Sequence, residues 1–391
     1  MQQTGLSKAQ IIIMAVTAGV CVANIYYNQP ILKEIALSCG VGESQAGIVS
    51  VLSQAGYGLG LFFITPLGDK LNRKTLILLL IALLAASLVI MSFAGTLFLI
   101  GLMSLFLGLF ACAAQVILPM AASLDPANRG RTVGIIFTGI IVGILAARVF
   151  SGYIAASFGW RYVYGISSGL VLATGVLVQY SLPDAKPGFG GNYGQLLRST
   201  LLQVKRFAVL RNTALLGALI FGTFCSFWTT LTFHLSGPPF HYNAGTIGLF
   251  GILAVGGALV APAIGKLTDK RNTGFTQVMT VGLLIAGLLL IKWFPYLISS
   301  FVIAVLLLDV GVQATQIANV ATIYTLDAAA NSRINTVYMT TYFIGGALGT
   351  LAGIECWRRG GWPAVTWQLL LWGVAALAVA LGGYRRRKQV Q

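Results

Sequence analysis

The sequence predicts an all-α membrane protein: twelve transmembrane helices in two pseudo-symmetric six-helix bundles. Three observations predict it. The 391-residue chain is 57% hydrophobic and only 9% charged, whereas soluble domains carry about 25% charged residues. Too little polar surface remains to cover a water-soluble globule, so the bilayer is the expected solvent. The apolar runs are about 20 residues long and lack strand alternation, which selects helices over a barrel. Finally, a charged turn occurs twice. TPLGDKLNRK, Thr65 to Lys74, joins two apolar runs in the first half, and GKLTDKRNT, Gly265 to Thr273, does so in the second.

Taken in order, the first six spans are expected near residues 10–32, 45–67, 75–93, 97–122, 131–157 and 162–182. The first run is too long for a signal-peptide core and no cleavage site follows it, so it reads as a retained helix. A polar cytoplasmic connecting loop follows at 183–210. The second six spans are expected near 211–235, 245–267, 274–292, 296–322, 332–355 and 363–383. The domains are therefore an N-terminal half, 1–182, the connecting loop, and a C-terminal half, 211–391, with the basic tail Arg385 to Lys388. The 47 glycines suit helices that pack closely in lipid.

The net charge of +16 does not indicate nucleic acid, because the bases sit in short turns between apolar runs. With the N-terminus placed inside, only Lys33, Arg161, Lys292, Arg358 and Arg359 fall in outer turns, while the remaining bases outside the spans fall in inner ones. Both termini are accordingly expected in the cytoplasm. Cys21, Cys112 and Cys225 fall inside spans and read as small packing residues. Cys39 and Cys356 both lie near the outer end, where pairing is the lesser alternative. No Cys or His spacing suggests a metal site.

The halves repeat beyond the charged turn. LDPANRGR (Leu124 to Arg131) matches LDAAANSR (Leu326 to Arg333), and Trp160 matches Trp362 at the same offset. Gly143, Ala147 and Ser151 in span 5 match Gly345, Gly349 and Gly353 in span 11. Small residues every four positions form a groove into which another helix can seat. Two like-oriented halves constitute a parallel repeat.

These features together resemble the major facilitator superfamily. Its signature between helices 2 and 3 reads Gly-x-x-x-Asp-Arg/Lys-x-Gly-Arg-Arg/Lys. Asp69, Lys70, Arg73 and Lys74 keep its charged positions, while Thr65 and Asn72 replace its glycines. NIYYNQPIL (Asn24 to Leu32) and YMTTYFIGGALGT (Tyr338 to Thr350) further resemble bacterial drug/proton antiporters and sugar-efflux permeases of the arabinose type. Two features depart from the drug branch. GILAARVFSG, Gly143 to Gly152, lacks the Gly-Pro of the antiporter motif, and Ser104 stands where an arginine is common. The resemblance implies proton-coupled efflux of a small solute across the cytoplasmic (inner) membrane by alternating access, by a chain acting as a monomer. A uniporter or a proton-coupled uptake symporter of the same fold is the alternative. No enzyme is expected, since two histidines and nine acids offer no converging catalytic set. No P-loop is present, and no cofactor is expected.

The resemblance also implies a conformational latch. Asp69, Lys70, Arg73, Lys74, Asp125, Arg131, Asp269 and Arg333 are its candidates. Asp69 is expected to meet the start of span 11 near Ser332, where a carboxylate gains roughly 0.3–1 kcal/mol from the helix dipole, and Arg73 is expected to pair with Asp125. Two charges fall deep inside spans, Arg148 in span 5 and Asp309 in span 10, and such charges are functional candidates by default. Arg148 lies about 18 Å of helix from Trp160, and Asp309 about 21 Å from Pro295, so the two share a depth, one in each half. They are expected to pair in one state, with Asp309 carrying the proton because arginine cannot release one. Asn24, Tyr27, Asn28, Gln115, Trp228, Gln313 and Gln316 are the substrate-binding candidates, read from shared helix faces and from the helices (1, 4, 7 and 10) that line the family's cavity. The alternative for each is helix–helix glue. His234 and His241 are expected to be interfacial polar residues.

Overall fold

The computed structural model describes residues 5–184, 191–253, 273–327 and 330–390, with side chains through Arg386. Asp269 lies outside the described residues. All regular structure among them is helical.

Span 1 starts on a reciprocal cap. Gln10 N donates to Ser7 Oγ at 3.2 Å, and Ser7 N donates to Gln10 Oε1 at 2.9 Å. This satisfies two of the backbone donors that any helix start leaves open. The α-helix Lys8–Ala23 is shorter than the apolar run suggests. Asn24 to Asn28 form turns, Gln29–Ile31 is a 3-10 turn around Pro30, and Leu32–Cys39 is a separate helix closed by Gly40 at φ 64°. Proline lacks the N–H that a continuing helix needs. Spans 2 to 6 are Glu43–Asp69, Arg73–Phe93, Leu97–Leu124, Arg129–Phe158 and Trp160–Ser181. Span 4 is interrupted at Cys112. Spans 7, 9 and 10 are Ala208–Ser236, Thr273–Trp293 and Ile298–Tyr324. Span 8 begins at Ala244–Leu253. Spans 11 and 12 form one helical run, Asn331–Val390, broken at Gly360 and Gly361. Gly361 sits at φ 59°, a conformation that side-chain-bearing residues avoid.

The connection between the halves departs from expectation. Most of it is an α-helix, Tyr193–Arg206, started by a second reciprocal cap between Asn192 and Gln195. It buries Leu196, Thr200 and Gln203 beneath the bundle, and Tyr193 Oη donates to the carbonyl of Phe63. A short amphipathic helix gives this face cover that a loop would not.

The small-residue stripes are used in both halves. A Cβ on Gly143 would meet the Gly19 backbone, and one on Gly139 would meet Ala15, so span 5 seats against span 1. Gly345, Gly349 and Gly353 approach Ala218, Gly222 and Ser226 in the same way, seating span 11 against span 7. All five cysteines are free, with Cys21, Cys112 and Cys225 buried. The outward-facing side chains of the bundle are apolar, among them Leu79, Val142, Leu172, Val176, Leu371 and Val374, as a lipid-facing surface requires.

Close contacts between the halves include two helix pairs. Spans 2 and 11 touch from Gly47 against Ile354 to Gly58 against Phe343 and Ile344, with the Tyr57 and Phe343 rings 4.4 Å apart. Spans 5 and 8 touch where Gly152 meets Ala244 and Gly248 meets the Arg148 carbonyl.

Candidate functional site

A cavity lies between the halves. Its walls come from spans 1, 2, 4, 5, 7, 10 and 11, and both deep charges face it. Arg148 and Asp309 are 1% and 3% exposed. From their level the cavity extends toward the Lys/Arg-rich end, past Gln313 and Gln316 on span 10 and as far as Phe137 on span 5. Phe137 is three helical turns from Arg148, about 16 Å.

Arg148 is held on several sides. Its Nε donates to Gln29 Oε1 at 2.8 Å. Its guanidinium lies over the Trp228 ring at 4.1 Å, with Tyr26 and Phe224 at 5.3 and 5.7 Å. Aromatic faces attract a cation, more so when it is desolvated. Nη1 and Nη2 nevertheless have no hydrogen-bond partner, and neither has Asp309 Oδ2. The described ion pairs do not include an Arg148–Asp309 contact within 4.0 Å. The two opposite charges therefore share one cavity without touching.

Of the substrate-binding candidates, Gln115, Gln313 and Gln316 line this cavity. Gln115 Nε2 donates to Tyr57 Oη at 3.3 Å. The candidates on span 1 do not line it. Asn24 donates to the Val20 carbonyl at 2.8 Å and accepts from Ser167 Oγ at 2.8 Å, tying span 1 to span 6. Asn28 donates to the Ile25 carbonyl and accepts from Ser50 Oγ, tying span 1 to span 2. Tyr27 packs on Phe150. Trp228 serves the cavity indirectly, as the face beneath Arg148. The helix-face reading missed Tyr26, Tyr57, Tyr342, Phe343 and Gln29. Tyr26 lies four residues from Val22, which also lines the cavity, so the correct face of span 1 begins one residue earlier than Tyr27.

At the end away from the basic face, direct bonds join the halves. Lys33 Nζ donates to the Ser236 carbonyl at 2.7 Å, and Thr232 Oγ1 donates to the Gln29 carbonyl at 2.8 Å. Ser236 Oγ reaches Glu43 Oε1 at 3.5 Å. Burial pushes the neighbouring Glu34 carboxyl above its ordinary range, against the opposing effects of its own backbone N–H and Lys33. His234 Nε2 lies 2.8 Å from the Pro295 carbonyl, and its ring stacks on Trp362 at 4.3 Å.

At the basic end, Asp69, Ser332, Arg333 and Thr336 line one small cleft with Leu196 and Thr200 of the connecting helix. This brings Asp69 to the start of span 11. Arg73 does not reach Asp125. It pairs with Asp69 at 3.0 Å and donates to the carbonyls of Gly68 and Pro119 and to Ser123 Oγ. Asp125 instead accepts from Thr132 Oγ1 at 2.7 Å and from Asn128 Nδ2 at 3.3 Å. The Thr132 hydroxyl is the main cause that holds the Asp125 carboxyl below its ordinary range. Lys70 and Arg131 are exposed and Lys74 is half-buried. Arg206 of the connecting helix pairs with Asp327 at 2.7 Å, bracing the turn between spans 10 and 11.

Residues 14–350 match the family model described as Major Facilitator Superfamily. The chain is 37% identical over 385 residues to the transporter YgaY of Escherichia coli O157:H7, covering 98% of both chains. It is 25% identical over 381 residues to the inner membrane transport protein YnfM of Escherichia coli K12, covering 93% of this chain and 88% of that one. A solved bacterial homologue of the human lysosomal transporter Spinster, inward-facing and occupied, superposes with a TM-score of 0.75 over 96% of each chain at 14% identity. The POT family transporter PepTSo gives 0.74 over 97% and 98%, also at 14% identity. These two structural likenesses concern the fold alone.

Proposed function

The chain belongs to the major facilitator superfamily, whose members move solutes by secondary transport, and we propose that it is a proton-coupled exporter of the cytoplasmic membrane. The observation that carries this reading is the placement of Arg148 and Asp309, one in each half, on the wall of one cavity and out of contact. Asp309 is the group that loads and releases the proton. Arg148 stays charged and sets the electrostatic cost of each Asp309 state. The geometry supports an inward-facing conformation: bonds close the end near Lys33 and Ser236, and the cavity runs toward the basic face, taken as cytoplasmic. Solute enters there while Asp309 is ionised. After the halves rock, a proton from outside neutralises Asp309 and the solute leaves.

The test uses purified protein in proteoliposomes with an imposed pH gradient and a panel of solutes. The gradient is expected to drive net solute movement against the proton flow. Asp309→Asn is expected to abolish that drive. Asp309→Asn transport that retained its full dependence on the gradient would remove the proton role.

A further inference from the structure

We infer that the transported solute is a zwitterion, a small molecule carrying a carboxylate and a primary ammonium on an apolar body. This deepens the assignment of Arg148 and Asp309 to solute handling and rests on it. Gln29 engages Nε of Arg148, and the guanidinium carbon lies over the Trp228 ring at 4.1 Å. What remains unpartnered is the edge carrying Nη1 and Nη2. Two N–H donors side by side match the two oxygens of a carboxylate, and this fork is the reason arginine reads such groups so well. On the facing half, Asp309 Oδ2 has no donor. An unpartnered charge in an apolar interior is costly, so both sites call for a ligand.

Charge balance separates the solute classes. Arg148 and ionised Asp309 sum to zero. A monoanion would satisfy Arg148 and leave two negative groups facing one positive. A monocation would do the reverse. A zwitterion satisfies both and leaves the buried charge at zero. Besides Gln115, Gln313 and Gln316, the wall carries the Phe221 and Tyr342 rings, stacked at 4.0 Å, together with Ile140 and Ile144, which suits a hydrocarbon body. The same arrangement couples the solute to the proton. Its ammonium and a proton compete for one carboxylate, so each turnover exports one neutral zwitterion and admits one proton, moving one positive charge inward.

The test measures binding to purified full-length protein at pH 7 by quenching of tryptophan fluorescence, and transport in proteoliposomes. The probes are L-phenylalanine and L-leucine, the cations phenethylamine and isoamylamine, the anions 3-phenylpropionate and 4-methylvalerate, and the dipeptide Leu-Leu. At least one amino acid or the dipeptide is expected to bind about 10-fold or more tighter than its singly charged analogues, and the comparison of amino acid with dipeptide sets the spacing of the two charges. Arg148→Gln is expected to bind the matching amine as well as the zwitterion. Asp309→Asn is expected to bind the matching acid as well as the zwitterion. A structural role for either residue would weaken all probes alike. A singly charged probe that binds or moves as well as its zwitterion overturns the zwitterion class, as does failure of every zwitterion to bind wild type. Tight zwitterion binding with no response of transport to a pH gradient would preserve the class and overturn the exporter reading.

Discussion

The bonds that join the halves near Lys33 can be removed with little change of shape. Thr232→Val deletes the hydroxyl that donates to the Gln29 carbonyl, and Lys33→Met keeps the side-chain stem while deleting the ammonium that donates to the Ser236 carbonyl. A hydrogen bond between membrane helices contributes about 0.6–1.7 kcal/mol, and one from a charged donor about 1.5–3 kcal/mol. These bonds exist only while that end is closed. The double variant should therefore shift the conformational equilibrium by roughly 2.1–4.7 kcal/mol, or about 30- to 2,000-fold at 1.4 kcal/mol per decade. A preference of about 99:1 for the inward-facing state would fall to a ratio between about 3:1 and 1:20. Spin labels at Leu37 and Tyr296, both exposed at that end and one in each half, report the change as a longer distance population on a background with the native cysteines replaced. A distance distribution identical to that of the parent would refute the argument that these bonds hold the end shut.

Three further outcomes follow from the packing and the turns. Gly349→Leu should destabilise the protein by about 1–3 kcal/mol or more, seen as a lower melting temperature in detergent, because a side chain there meets the backbone of Gly222; Gly282→Ala, where a Cβ meets nothing within 4 Å, should leave melting unchanged. Thr132→Val removes the hydroxyl that depresses the Asp125 carboxyl. A depressed carboxylate contributes stability that is present above its ordinary range and lost as pH falls through the depressed value, so the melting penalty of Thr132→Val should be full at neutral pH and fade on acidification. Asn24→Ala should lower stability by about 1 kcal/mol and leave solute discrimination intact, whereas Gln313→Ala should alter discrimination in transport assays and leave stability near wild type.

Much of the bundle was legible because the bilayer constrains it so strongly. Length and hydropathy place most of the described spans, and the glycine stripes recur at spans 5 and 11. The small-residue stripes at Gly143 and Gly349 were legible for the same reason, since nothing but close helix contact calls for that spacing. The break after Ala23 was less legible, because Asn24 to Ile31 remain apolar enough to extend the run while Pro30 and the turns before it end the helix. The helix at Tyr193–Arg206 had a readable start, Asn192 with Gln195 three residues on, but its polar composition masked the apolar face of Leu196. The Arg73–Asp125 pairing was an inference about which of several short turns meet. The chain instead offers Arg73 a partner four residues away, Asp69, and offers Asp125 a hydroxyl seven residues away, Thr132.

The candidate site shows why composition alone cannot separate cavity from glue. Asn24 and Asn28 are as polar as Gln313 and Gln316, yet each finds a backbone carbonyl within one helical turn and a serine on the next helix. A short side chain close to its own backbone is easily satisfied where it stands. Arg148 is different in kind. Its five donors on a long planar head exceed what any nearby turn can supply, and its surroundings supply one acceptor and three aromatic faces. The informative sequence feature is therefore a group whose bonding capacity exceeds its local supply, set at the same depth as an opposite charge in the other half. By that criterion the pair Arg148 and Asp309 stands out from every other polar residue within the described spans. The part of it left unsatisfied, Nη1 and Nη2 on one side and Oδ2 on the other, is where a solute gains most by binding.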